Sequence, residues 1–583
     1  MSVEFKGFSF TPLDREEPIL KNINLEISPG STVGIVGRTG SGKSELLKAL
    51  NGVVPKSEVG VQEGDVIING MNTKDHGIPE LATHVGIVLD NPSTQLFALT
   101  VKDDVAFGPA NLGLPLDEIE RRRELAMKAT RLDGFENRSP NDLSGGEQQS
   151  CAIAGILAME PRILAMDEPI AFLDPMGKQR VLSLIRDLFK KLKNTIIITE
   201  SGSDIEPLAE FVDRVVVLDQ GRIIMDDNPK IVFSSDLLRE IGVGRPSVTE
   251  LFLELRKGRK KLPIPVTLSE AVDSMKKLLE ESKAGPKKAA QRRKGEKPAK
   301  RREGEPVIRV RNLEHIYPGM PPVKALQGIS FDIYEGEMVG LIGQNGSGKT
   351  TLSYHLVGLL KPTNPDAEVI VDGVDTTKAP VSEIIKHINY VFQNADDQLF
   401  SETIFEEVAY GLRMQGVPAT EVEGRVIDTL RLFGIEENRD NPISFLSTNL
   451  KTYTAVASTL AMGPKVLIVD EPTTGLDRTG IRVIMDVLKD MNRKGRTIIV
   501  ITHSMNTIAE YCERVLVIRD GKLLIEGSVR DVFSQPEILI ESSIHPPQIT
   551  QLGQKLGEYG LPPDAMTVEE MAGFVEKLSK EGS

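Results

Sequence analysis

The chain has 583 residues, 40% hydrophobic and 26% charged, with 70 basic against 84 acidic side chains and a net charge of −14. That length calls for several packed domains, and the acidic balance disfavours broad nucleic-acid binding. Cys151 and Cys512 are the only cysteines, which excludes a disulfide framework or a cysteine-built metal centre and fits a reducing compartment.

In chain order, the start MSVEFKGFSF has no basic stretch leading into an apolar one, so no secretory signal is expected. The apolar run TVGIVG, Thr32–Gly37, predicts a buried strand. It feeds GRTGSGKS, then a helical stretch Ser44–Leu50. GxxxxGK[ST] has a mechanical meaning: glycines let backbone N–H groups curl around phosphates, the lysine reaches β/γ oxygens, and the hydroxyl serves Mg²⁺. Gly37, Arg38, Thr39, Gly40, Ser41, Gly42, Lys43 and Ser44 are therefore candidate phosphate-binding residues, with Ser44 on the metal. LSGGEQQ follows at Leu143–Gln149. The longest apolar run, Cys151–Met159, has nine residues, against the roughly 20 that span a bilayer. ILAMDEP, Ile163–Pro169, closes a strand on Asp167, suited to Mg²⁺, and Glu168, suited to polarising a water. NTIIIT, Asn194–Thr199, predicts a further buried strand. PSVTEL and TLSEAV, at Pro246–Leu251 and Thr267–Val272, predict a short helical appendix. Lys283–Arg302 then carries ten basic residues and one acid, with little to bury. It reads as a disordered tether, either solvated or drawn to anionic lipid head groups.

Beyond the tether the sequence repeats. GQNGSGKT, Gly343–Thr350, matches the first phosphate loop at an offset of 306, and VLIVDEP, Val466–Pro472, matches ILAMDEP at 303. Gly343, Gln344, Asn345, Gly346, Ser347, Gly348, Lys349 and Thr350 become phosphate-binding candidates, Thr350 and Asp470 metal-binding ones, and Glu471 a catalytic one. PQITQL and TVEEMA echo the appendix. Continuous apolar runs separated by amphipathic helices predict an α/β fold twice over, each copy with a mainly parallel sheet. The expected limits are 1–235 and 307–535 for the two large units, 236–282 and 536–583 for the appendices, and 283–306 for the tether.

LSGGEQQ, with the phosphate loop, the Asp-Glu strand and the LDP and LDR turns at Asp174 and Asp477, resembles the ATP-binding-cassette ATPases over nearly the whole chain. The resemblance implies two tandem P-loop cassettes, each with a helical subdomain, clasped head to tail around two ATP molecules with Mg²⁺. Each nucleotide would lie between one P-loop and the other signature, which adds Ser144, Gly145 and Gly146 to the ATP contacts. It also implies Gln393 as the water- and Mg²⁺-sensing glutamine and His503 as the γ-phosphate switch. Tyr317, and less closely Phe10, would stack adenine. In the first copy Asp90 stands 303 residues before Gln393, and Glu200 stands 303 before His503. Both are expected to replace those groups. The second signature is eroded to LSTNL, Leu446–Leu450. Head-to-tail pairing gathers the departures in one composite site: the first P-loop, Asp90, Glu168 and Glu200 with Ser447, Thr448 and Asn449. The other site combines the second P-loop, Gln393, Asp470, Glu471 and His503 with Ser144–Gly146. The expectation is that this second site hydrolyses ATP while the first retains it.

NPSTQLFALTVKDDVAFGPANLGLP and NADDQLFSETIFEEVAYGLRMQGVP, with the appendices, resemble the ATPases of energy-coupling-factor importers for cobalt, nickel and vitamins. That resemblance implies ATP hydrolysis coupled to transport, a transmembrane coupling subunit, a membrane substrate-binding subunit, and a peripheral place on the cytoplasmic face of the cell membrane. The grooves gripping coupling helices would lie around Asp90–Phe97 and Gln393–Phe400, and no nucleic acid is expected. Tandem sugar-importer ATPases, soluble cassette ATPases of ribosome or nucleic acid, and a non-catalytic scaffold are the alternatives. Intact Glu471 and His503 argue against the scaffold, and a multi-span membrane partner would separate the importers from the soluble class.

Overall fold

The computed structural model describes residues 3–581 apart from 144, 172, 193, 203–204, 258–261, 282–303 and 320–321. Ser144 and most of the tether expected at 283–306 lie outside the described residues. The chain forms two compact units, Met1–Thr249 with Ile264–Thr267, and Glu250–Pro263 with Leu268–Ser583.

In the first unit a six-stranded sheet runs edge to edge through Arg222–Asp227, Arg214–Asp219, Thr32–Val36, Thr195–Glu200, Ile163–Met166 and Val85–Val88. All neighbours are parallel except the first pair. Thr195–Glu200 and Ile163–Met166 are buried along their length, as expected for apolar runs covered on both faces. A four-stranded antiparallel sheet, ordered Leu20–Ile27, Val3–Pro12, Gly60–Ile68, Met71–Asn72, lies against one side. Phe5, Phe8, Ile23, Val66, Ile35 and Leu47 share the core between the sheets. The other face packs under the helices Pro175–Leu192 and Ile205–Phe211 through Val181, Ile185 and Leu208. The helices Val101–Asn111, Leu116–Ala129 and Gly145–Ala158 close around their own apolar cluster.

The second unit repeats both sheets with the same strand order. It also holds the helix Leu268–Glu281, whose buried Ala271, Met275, Leu278 and Leu279 recur at helical spacing and form one apolar stripe. This helix packs against Gln548–Lys555, and Tyr559 Oη donates to Glu280 Oε1 at 3.4 Å. The compact units thus divide the chain ahead of the repeat limit at 282, because that stripe is buried within the second unit. Among the described residues no helix is long and apolar enough to cross a membrane.

Candidate functional site

Each phosphate loop joins a central parallel strand to a helix, Thr32–Val36 to Lys43–Leu50 and Met338–Ile342 to Lys349–Leu356. Gly42 and Gly348 hold φ of 101° and 106°, a region that L side chains avoid. A Cβ on Gly343 would stand 2.3 Å from Ile518 O, and one on Gly37 2.1 Å from Leu218 O. The loops therefore tolerate only glycine where they turn. Lys349 Nζ donates to Gly343 O at 2.8 Å and Gln344 O at 3.0 Å, and Lys43 Nζ does the same to Gly37 O and Arg38 O at 2.8 and 3.1 Å. Ser41 Oγ and Ser347 Oγ are buried in these loops with no hydrogen-bond partner among the described residues. Leaving a hydroxyl so costs free energy, which a bound phosphate would recover.

In the second unit one cleft of about 450 Å³ is lined by Tyr317, Asn345 to Thr351, Gln393, Asp470, Glu471 and His503. The structure thereby brings together residues separated by 186 positions of sequence. Thr350 Oγ1 donates to Asp470 Oδ2 at 3.3 Å. His503 Nε2 stands 3.2 Å from Glu471 Oε1 and 2.9 Å from Asn345 Oδ1, and His503 N donates to Glu471 Oε2 at 3.2 Å. Glu471 has φ 47°, so the chain turns left-handed at the strand end and presents its carboxylate to the histidine. Burial raises Asp470 above the ordinary carboxylate range, opposed by Tyr390, Lys349 and Thr350. Tyr317 is 37% exposed at the cleft mouth, its hydroxyl 3.3 Å from Thr351 Oγ1. Lys324 and Asp520 also line this cleft and escape any motif reading.

The first unit keeps Lys43, Asp167 and Glu168 but alters their surroundings. Lys43 Nζ lies 3.7 Å from Glu168 Oε1. Burial pushes Glu168 up to about 8; Lys43 opposes the shift, and Glu200, Asp167 and Asp90 add to it. Asp90 is itself raised by burial and by Asp167. Asp90 does occupy the place of Gln393: Leu89 N donates to Gln95 Oε1 in one copy as Phe392 N donates to Gln398 Oε1 in the other.

Glu200 does not occupy the place of His503. Gly30 N donates to Thr195 Oγ1 and Gly336 N to Thr497 Oγ1, both at 3.0 Å, and Ile196 N and Ile498 N donate to the equivalent Ser31 O and Glu337 O. This register sets Glu200 level with Thr502 and Ser201 level with His503. The contacts agree. Glu200 Oε1 accepts from Gly202 N as Thr502 Oγ1 accepts from Ser504 N, both at 3.1 Å. Ser201 Oγ donates to Glu168 Oε2 at 3.3 Å, as His503 meets Glu471. The equal spacing of 303 misleads because the segment leading into this strand is one residue longer in the first copy, 27 positions from Glu168 to Thr195 against 26 from Glu471 to Thr497, so the strands run at an offset of 302. Register likewise corrects Phe10. It pairs with Leu20 as His315 pairs with Leu326, and it is buried in the core at 1% exposure; Pro12, not an aromatic, stands where Tyr317 does.

Gly145 opens the helix Gly145–Ala158. In the eroded counterpart Ser447 Oγ caps the helix Thr448–Ala461, and Asn449 Nδ2 donates to Asp477 Oδ2 at 3.3 Å. The asparagine thus ties this helix start to the LDR turn, where Gly146 has no side chain to do so.

A profile of the family described as ABC transporter matches residues 20–171 and again 326–474. The chain belongs to the ABC transporter ATPases. Two relatives are each named "Putative ABC transporter ATP-binding protein". One, from Caldanaerobacter subterraneus subsp. tengcongensis, is 39% identical over 97% of this chain and 96% of its own. The other, from Methanosarcina acetivorans, is 37% identical over 96% and 91%. Among solved structures, CbiO1 of Clostridium perfringens, described as part of the ABC transporter complex CbiONQ, is 34% identical over 41% of this chain and 94% of its own, with a TM-score of 0.37. This ABC ATPase therefore carries two nucleotide-binding cassettes and the ATP-hydrolysing chemistry of its family.

Proposed function

We propose that this chain is the energy-coupling ATPase of an importer of the energy-coupling-factor type, with one hydrolysing and one retaining nucleotide site. The observation that carries the unequal sites is the contrast between cleft and counterpart: Gln393, Glu471 and His503 gather in one cleft, whereas Asp90 and Ser201 stand at the matching places of the first unit. A histidine beside Glu471 supplies a donor where phosphoryl transfer builds charge; a serine already donating to Glu168 supplies less, and Asp90 adds an anion. Mg²⁺ fits the oxygen-rich set of Thr350 and Asp470, with Gln393 in reach of the same cleft, and Ser44 with Asp167 in the first unit. When bound it would neutralise the phosphate oxygens. On this proposal Gly145 and Gly146 would complete the second nucleotide site when ATP binds, and Thr448 and Asn449 the first. The appendices and the tether keep the pair in one chain at high effective concentration.

The importer reading is supported by an exposed aromatic pair that recurs at the same place in each unit. Phe97 and Phe107 meet edge to face with centroids 4.5 Å apart, and Phe400 and Tyr410 at 4.8 Å. Phe97 and Phe400 are 63% and 66% exposed, with Leu99 two residues on in the first unit exposed as well. Each pair joins the end of the Asp90–Phe97 or Gln393–Phe400 segment to the helix after it, which is where a closing cassette would push an apolar helix end of a transmembrane coupling subunit. The chain would then act at the cytoplasmic face of the membrane. The test is affinity purification of the full chain from detergent-solubilised membranes. A multi-span membrane protein should co-purify, and should be lost when Phe97 and Phe400 are both changed to Asp. Recovery of ribosomal or DNA-bound proteins instead, indifferent to those substitutions, would defeat the importer reading.

A further inference from the structure

The metal-site aspartates of the two units are held by different hydroxyls, contributed from opposite sides. Asp470 closes the strand Val466–Asp470, which lies between Ile388–Val391 and Thr497–Ile501. Tyr390, on the first of those neighbours, donates its hydroxyl to Asp470 Oδ2, the oxygen that also accepts from Thr350. The Tyr390 ring is fixed edge-on between Tyr354 and Phe392, with centroids at 5.6 and 5.0 Å. On the other neighbour the level residue is Ile501, which has no polar atom in its side chain and is buried in the core. In the first unit the arrangement is reversed. The residue level with Tyr390 is Ile87, and the residue level with Ile501 is Thr199, whose Oγ1 donates to Asp167 Oδ1 at 2.5 Å while accepting from Glu168 N at 3.0 Å. Each aspartate therefore has one hydroxyl clamp from a flanking strand, and each site has an isoleucine where the other has its clamp.

We propose that Tyr390 and Thr199 are positioning residues, each fixing the carboxylate of its own site for a divalent cation, and that the two are alternative solutions to the same task. Pinning one oxygen of a buried carboxylate fixes the orientation of the whole group, and in Asp470 the pinned Oδ2 is itself the oxygen that meets the P-loop Thr350. Without the pin it is free to rotate, which costs metal affinity. Hydrogen bonds of this outer kind are worth about 10- to 100-fold in metal affinity. The inference rests on the reading of Asp167 and Asp470 as the metal-holding carboxylates.

The experiment is Mn²⁺ binding to the full chain with a non-hydrolysable ATP analogue, followed by electron paramagnetic resonance, so that no turnover is involved. Two binding steps are expected. Tyr390→Phe should weaken one of them about tenfold and leave the other, and Thr199→Val should do the reverse. Adding Ile501→Thr to Tyr390→Phe should restore most of the lost affinity, a rescue that a merely structural tyrosine would not permit. The control Asp470→Asn separates the two layers of argument. If it abolishes a binding step while Tyr390→Phe and Thr199→Val change nothing, the clamps are wrong and the metal reading stands. If Asp470→Asn changes nothing, the metal reading fails and takes the clamps with it. Weakening of both steps by either single substitution would overturn the pairing of one hydroxyl with one site.

Discussion

His503→Ser gives the second unit the residue that strand register places in the first, and so isolates the difference between the two sites. The change removes a ring nitrogen 3.2 Å from Glu471 Oε1 and 2.9 Å from Asn345 Oδ1. It leaves the backbone bond from residue 503 to Glu471 Oε2 in place, since that donor is the main-chain N–H. A hydrogen bond to a charged group contributes about 1.5–3 kcal/mol. At about 1.4 kcal/mol per factor of ten in rate, its loss from the transition state lowers kcat by roughly 10- to 100-fold. The phosphate loop loses only its Asn345 side-chain contact and keeps Lys349 and its backbone, so nucleotide affinity should move by less than about threefold, the mark of an interaction made in the transition state rather than in the ground state. Steady-state phosphate release from the full chain, with nucleotide affinity measured separately by equilibrium binding, gives both numbers. A kcat within about threefold of the parent, or a loss carried entirely by KM, would refute the role assigned to the histidine.

Two further predictions concern pH. Glu168 is pushed up to about 8 by burial from an ordinary 4.5, so the folded chain holds its proton more tightly than the unfolded one between those values and stability falls as pH rises through that window. Glu168→Gln should raise the melting temperature in nucleotide-free protein at pH 8 and do so much less at pH 5, whereas equal shifts at both would contradict the protonated state. Burial, with His315 adding, lowers His355 from 6.5 to about 4, so the unfolded chain binds the extra proton and stability is lost as pH falls from 6.5 towards 4. The two rings, 4.9 Å apart, stand where the first copy has Phe10 and Ala49, and His315→Phe with His355→Ala should flatten acid sensitivity over that window in thermal melts.

Much of this was legible in the sequence because it lies in contiguous motifs. The phosphate loops, the Asp-Glu strand ends and the fully apolar strands each carry their meaning within a few residues, and the sheets form as that apolarity requires. What escaped was set by register. TES and THS look alike as letters, yet the strand bearing them is one residue out of step between the copies, and the bonds that Gly30 and Gly336 donate to Thr195 and Thr497, with the contact of Ser201 to Glu168, show that Ser201 and not Glu200 faces the catalytic carboxylate. Phe10 is an aromatic at about the right distance from the P-loop, but alternation along its strand turns it into the core. Tyr390 and Thr199 could not be singled out from sequence, because each matters only through an aspartate on a neighbouring strand, 80 and 32 residues away. A tyrosine just ahead of Gln393 opposite an isoleucine ahead of Asp90 was the available signal.

The most direct measurement is the ATPase rate of two matched substitutions in the full chain. Glu471→Gln should reduce turnover by at least about 100-fold, the scale of a lost general base, while Glu168→Gln should cost less than about threefold. Comparable losses from both would mean that the two nucleotide sites work alike, and the division into a hydrolysing and a retaining site would be wrong.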